Sequence, residues 1–217
     1  MRLPGDVPVR LVLADDEALL RRGLRVLLEA DGRVEVVAEA ADGAELLDVV
    51  RRHRPDVALV DVQMPGVDGL AALRELLTWS DPPALAVLTT FDLDDYVAEA
   101  LELGAQGFLL KDAEPDALVR AVLDLAAGGA VLDPRITVRL LPRLRGRPRE
   151  NPQLDGLSAR ERQVLALVAG GRPNSAIAAG LGLSEATVKS YVSTILTKLG
   201  VENRVQAALV AHQVNAW

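Results

Sequence analysis

Five short, largely apolar runs separated by segments of helical period constrain this chain more than any other feature. The runs are VRLVLA (9–14), VEVVAEA (34–40), DVALVD (56–61), ALAVLTT (84–90) and GFLL (107–110). Between them lie EALLRRGLRVLLEA, GAELLDVVRRH, DGLAALRELLTW and DLDDYVAEALELG, and EPDALVRAVLDLAAG closes the set. Short runs of this kind suit strands buried on both faces, and strict alternation with helices makes those strands parallel. The expected fold class is therefore α/β, a five-stranded doubly wound sheet of flavodoxin-like order 2-1-3-4-5. It occupies residues 9–130 after a short N-terminal tail over 1–8.

The pattern changes after residue 130. Residues 131–153, VLDPRITVRLLPRLRGRPRENPQ, combine four prolines with a string of arginines and read as a linker, with a short helix around 136–141. From 154 to 217 the periods are purely helical and imply an all-α four-helix domain. Ser158-Ala159-Arg160-Glu161 forms a capping box that opens a helix through Ala169, and Asn174 precedes a short helix ending at Gly180-Leu181-Gly182. Ser184 caps a third helix that runs to Leu199 and is stopped by Gly200, and a fourth covers about 203–213. On the third helix Val188, Val192, Ile195, Leu196 and Leu199 share one face. The opposite surface carries Ser190, Ser193, Thr194 and Thr197, flanked by Thr187 and Lys189. A short helix, a glycine turn and a helix of this kind make a helix-turn-helix, whose second helix lies in the major groove of DNA.

Charge follows the same division. Residues 1–127 carry 12 Lys+Arg against 25 Asp+Glu, a net −13, whereas residues 128–217 carry 12 against 6, a net +6. The basic part is the one suited to nucleic acid. The absence of cysteine excludes disulfides and thiolate chemistry, and with only His53 and His212 a zinc site is disfavoured. No apolar run approaches the roughly 20 residues that span a bilayer, and the first residues lack the apolar stretch of a signal peptide, so a soluble cytoplasmic protein is expected.

Acids stand where the strands end. VLADDEA closes the first run with Asp15 and Asp16, and Asp61 closes the third. In the 2-1-3-4-5 order these strands are neighbours at the switch point, so three carboxylates share one crevice and call for a cation, with oxygen-rich chemistry suited to Mg²⁺. The fourth run ends in Thr89-Thr90 and the fifth in Lys111, facing the same acids. An aspartyl-nucleophile phosphatase would need a second acid two residues after the nucleophile, but Gln63 stands there. No glycine-rich lysine loop supports nucleotide hydrolysis.

ADDEALLRRGL, LVDVQMPGVDGL, LTTFDLDDYVAEAL and GAQGFLLKD, in that order, resemble the receiver domain of two-component response regulators. LSARERQVLALV, NSAIA, LGLSEATVKSYVSTILTKLGV and RVQAA resemble the LuxR-type DNA-binding domain, and together the halves resemble a NarL/FixJ-type response regulator. The resemblance implies a regulator rather than an enzyme, with only self-phosphotransfer and autodephosphorylation. Asp61 would be the phosphoacceptor, and Asp15, Asp16, Asp61 and the backbone carbonyl of Gln63 the Mg²⁺ ligands. Lys111 would pair with the phosphoryl group, while Thr89 and Phe108 would form the switch. Lys189, Ser190 and Ser193 would face bases, Thr187 and Lys198 the DNA backbone, and the final helix a second copy. The implied partners are a sensor histidine kinase, double-stranded operator DNA and, on phosphorylation, a homodimer mate, with RNA polymerase a further candidate. Ala176, Tyr191 and Ser193 depart from the family pattern, so the operator sequence is not legible. The alternative is a DNA-binding regulator whose receiver answers a ligand or protein partner instead of phosphate.

Overall fold

A computed structural model describes residues 7–90, 94–133, 135–136, 154–201 and 203–213. The chain divides into two compact units, Met1–Ala126 and Ala127–Trp217.

The elements of the first unit follow the alternation of the sequence: β1 (Val9–Ala14), α1 (Ala18–Glu29), β2 (Val34–Ala40), α2 (Gly43–His53), β3 (Val57–Asp61), α3 (Gly69–Leu76), β4 (Ala84–Thr89), α4 (Asp94–Leu103), β5 (Gly107–Leu110) and α5 (Pro115–Ala126). Strands β1 to β5 are parallel, in the order β2-β1-β3-β4-β5. Leu11–Ala14, Val57–Val60 and Leu85–Leu88 are buried, as central strands covered on both faces require. Helix α1 packs with α5, while α2 packs with α3 and α3 with α4. Asp42 and Asp68 cap α2 and α3, accepting from the N–H groups of Glu45 and Ala71 at 2.8 and 2.7 Å.

The sheet has six strands rather than the expected five. Val131–Leu132, assigned from sequence to the linker, forms a two-residue strand β6 at the β5 edge. Two residues cannot display a period, and the prolines that follow mask the pairing. The helix expected at 136–141 lies, beyond Ile136, outside the described residues.

In the second unit a 3₁₀ turn (Leu154–Gly156) leads into α6 (Ala159–Ala169), α7 (Asn174–Leu181), α8 (Glu185–Leu199) and α9 (Arg204–Gln213). Both halves of the capping box form: Ser158 Oγ accepts from Glu161 N at 3.2 Å, and Glu161 Oε2 accepts from Ser158 N at 2.6 Å. Helices α7 and α8 end at Gly182 and Gly200, both at φ +64° in the left-handed region that favours glycine. Val164, Val168, Ile177, Val188, Ile195, Leu199 and Val210 form one buried core. Ala207, Val210 and Ala211 of α9 also point into this core. Helical period sets them on the inner side, so they are not the residues through which α9 would meet a second copy.

Candidate functional site

Register brings the acids together. Ala14 of β1 pairs with Val60 of β3, so the next residues, Asp15 and Asp61, stand level at the carboxyl ends of adjacent strands. Asp61 pairs with Leu88, and Thr89 with Leu110, which puts Thr89 and Lys111 at the same end of the sheet. One oxygen from each of Asp15, Asp16 and Asp61 lies within 4.8 Å of the others. Asp15 and Asp61 are buried, Asp16 exposed.

The Lys111 ammonium bridges this cluster. Its Nζ lies 2.8 Å from both Asp15 Oδ2 and Asp61 Oδ2, and 3.7 Å from Glu17 Oε1. Apart from its ion pair with Lys111, the buried Asp15 Oδ2 meets no hydrogen-bond donor among the described residues. One ammonium against three carboxylates leaves an excess of negative charge, so the cluster has both the hard oxygen donors and the uncompensated charge that a divalent cation satisfies. Burial raises the Asp61 carboxyl above its ordinary value, against the hydrogen bonds from Lys111 and the Gln63 N–H. Burial also works against the charge on Lys111, but hydrogen bonds to Asp15 and Asp61 together with the attraction of their charges raise its pKa above the ordinary value.

Around this centre the other expected residues take distinct places. The Gln63 N–H donates to Asp61 Oδ1 at 3.1 Å, which holds the loop after β3 against the carboxylate. Thr89 is buried, and its hydroxyl donates to the Thr90 carbonyl at 3.1 Å; Thr90 itself is exposed. Phe108 is wholly buried. The chain returns from the loop to α3 so closely that a Cβ on Gly69 would stand 2.0 Å from the Asp61 carbonyl oxygen. Two neighbours escaped the sequence reading. Arg21 donates to the Asp15 carbonyl through Nη1, with its Nε 3.3 Å from Glu39 Oε2, and Glu17 donates its N–H to Asp15 Oδ1 at 2.9 Å. Arg21 is legible as an inward residue one turn after the acids, but its acceptor is a backbone atom with no sequence signature.

On the second unit α8 presents Lys189, Ser190 and Ser193 exposed, and their side chains have no hydrogen-bond partner among the described residues. Thr194 and Thr197 turn their hydroxyls back to the carbonyls of Ser190 and Ser193 at 3.0 and 3.1 Å. Thr187 is exposed but engaged at the helix start, its hydroxyl 2.7 Å from that of the N-cap Ser184. Lys198 does not extend freely: its ammonium bonds both Glu161 oxygens, at 2.9 and 2.8 Å, and the Gly156 carbonyl at 3.1 Å. The buried Arg204, also unforeseen, joins α9 to α7 by donating to Asn174 Oδ1 at 3.0 Å and to the Arg172 carbonyl at 2.6 Å.

A doubly wound domain with an acid cluster and lysine at its switch point, on the same chain as a helix-turn-helix, defines a receiver-type regulator of DNA. Residues 11–123 match the response regulator receiver domain, and residues 155–211 the bacterial regulatory proteins of the luxR family. The chain belongs to this family of DNA-binding transcriptional response regulators of two-component systems. It is 40% identical over 206 residues to the DNA-binding transcriptional activator DevR/DosR of Mycobacterium tuberculosis, covering 95% of each chain. Among solved structures it is similar to the response regulator ChrA of a heme-sensing two-component system, with 38% identity, 97% and 99% coverage and a TM-score of 0.56. It is also similar to RcsB, in a structure described as two dimers bound to two parallel DNAs, with 27% identity, 96% and 98% coverage and a TM-score of 0.59.

Proposed function

We propose that this regulator is switched by transfer of a phosphoryl group from a phosphohistidine of a sensor kinase to Asp61. The observation that carries the proposal is the Lys111 ammonium 2.8 Å from both Asp15 and Asp61 inside the acid cluster. In the reaction an Asp61 oxygen attacks phosphorus, an O–P bond forms, the P–N bond breaks, and its electron pair returns to the kinase imidazole. Because the attacking carboxylate needs no deprotonation, the site must mainly position the groups and neutralise charge. Asp15, Asp16, Asp61 and the Gln63 carbonyl fit Mg²⁺, which when bound supplies the electrostatic neutralisation that phosphoryl transfer requires. Lys111 moves its charge from Asp61 to a phosphoryl oxygen. Self-phosphotransfer and autodephosphorylation complete the chemistry.

Phosphorylation adds about two negative charges, and such a change biases an element with two arrangements. Thr89 exchanges its bond to the Thr90 carbonyl for one to the phosphoryl group, and Phe108 changes rotamer with it. The altered receiver pairs with a second copy, and two α8 helices reach two half-sites of operator DNA. The dimers described for RcsB on DNA support this arrangement. Lys189, Ser190 and Ser193 face bases and Thr187 the backbone; RNA polymerase is the partner that an activator would engage.

The test is intact mass together with oligomeric state after incubation with Mg²⁺ and acetyl phosphate, with Asp61→Asn as control. The wild type gains one phosphoryl group and shifts to dimer, and the variant does neither. A variant that still switched would turn the reading to a ligand- or partner-driven receiver.

A further inference from the structure

We infer that Lys198 is a positioning residue of the DNA-binding domain, clamping the recognition helix to the start of α6, and not a ligand of DNA phosphate. The inference rests on the reading of α8 as the recognition helix. An ammonium has three donors, and here all three are spent, on Glu161 Oε1, Glu161 Oε2 and the Gly156 carbonyl. Glu161 is only 5% exposed and also accepts from the Ser158 N–H, so it is both the last member of the capping box and the anion of the clamp. A swing of Lys198 toward phosphate would exchange three bonds for one and leave a buried carboxylate without its cation, which is the costly way to break such a pair. The same carboxylate would then stand uncompensated beside a polyanion.

The clamp joins three places. Lys198 lies in the last turn of α8, Glu161 in the first turn of α6, and Gly156 at the end of the 3₁₀ turn that leads the chain into the domain. Core packing through Val164, Ile195 and Leu199 sets the distance between α6 and α8, but apolar contacts are non-directional and tolerate rotation. A bidentate, charge-assisted contact at one end of α8 removes that freedom. Lys189 stands nine residues earlier on the same helix, about 14 Å along its axis at 1.5 Å per residue, so a small tilt at Lys198 displaces the side chains that would meet bases.

The test uses the full chain and a duplex enriched from a randomised library by the wild type, with affinity measured across a salt series at a temperature where circular dichroism shows every variant folded. For Lys198→Met we expect a loss of roughly tenfold, the size of one lost base contact, with the slope of log affinity against log salt unchanged. Glu161→Gln gives the same loss, the double variant is no worse than either single one, and Lys198→Arg, which keeps the charge but not the three-donor geometry, also loses affinity. A slope lower by about one in Lys198→Met, with Glu161→Gln binding as well as wild type or better, would make Lys198 a phosphate ligand and overturn the inference. Lowered unfolding temperatures with unchanged affinity would overturn it as well, leaving a purely structural pair. Lys189→Ala is the separate control: if it binds like wild type, the assignment of the recognition face fails, whatever the clamp does.

Discussion

Lys111 shows how one side chain can make the burial of two acids possible. It is the ion-pair partner of two buried carboxylates, and burying acids is tolerable only when they are paired. Lys111→Met is therefore expected to destabilise the receiver by about 3 kcal/mol, as read by urea unfolding, because both acids stay buried without their cation. Mg²⁺ should recover part of that loss, since it restores positive charge to the same oxygens. Glu161 makes a second residue-scale prediction. Its carboxyl is held below the ordinary value of 4.5 by the hydrogen bond from Lys198, then by the Ser158 N–H. A depressed acid contributes stability that is complete above its unfolded value and is lost as pH falls through its folded one. The melting temperature of the DNA-binding domain should thus fall as pH drops below about 4.5, and Glu161→Gln should flatten that part of the profile.

Among the elements, the turn from β3 into α3 has the tightest geometry. Gly69 is required there because a Cβ would meet the Asp61 backbone at 2.0 Å, and backbone cannot move aside as a flexible side chain would. Gly69→Ala should destabilise the receiver by about 1–3 kcal/mol and, by displacing the carbonyl of Asp61, slow phosphoryl acceptance from acetyl phosphate. Mass spectrometry at fixed times separates the two effects under conditions where the variant stays folded. Helix limits were legible wherever a cap was written locally: Ser158 with Glu161 marks the start of α6, and Ser184 and Gly200 bound α8 as the structure has them. Strand β6 was not legible, because pairing along an edge leaves no periodic mark on two residues.

For the whole molecule the two-unit division follows the charge. An acidic unit holds the carboxylate cluster, and a basic unit carries the exposed face of α8. At this scale Asp61→Asn has a further consequence. Affinity for duplex DNA should rise on phosphorylation of the wild type, through pairing of two reading heads, and stay at the unphosphorylated level in the variant. Gel shift or fluorescence anisotropy at constant salt reads the difference, because counterion release makes single affinities taken at different salt concentrations incomparable.

Apart from β6, the sequence by itself determined the kinds of element and their order, and the caps at Ser158, Ser184 and Gly200, because period, proline and capping chemistry act over a few residues. It also determined which acids end strands, since each lies next to its own apolar run. Tertiary structure alone decided which of these groups meet. Asp15 and Asp61 are 46 residues apart and become neighbours through the register of β1 with β3, while Lys111 reaches both from a third strand. Lys198 looked like a surface cation on a DNA-reading helix, yet packing of α8 on α6 brings it to Glu161, 37 residues away. Convergence of this kind depends on register and interhelical packing, which are properties of pairs of elements and leave no trace in either element alone.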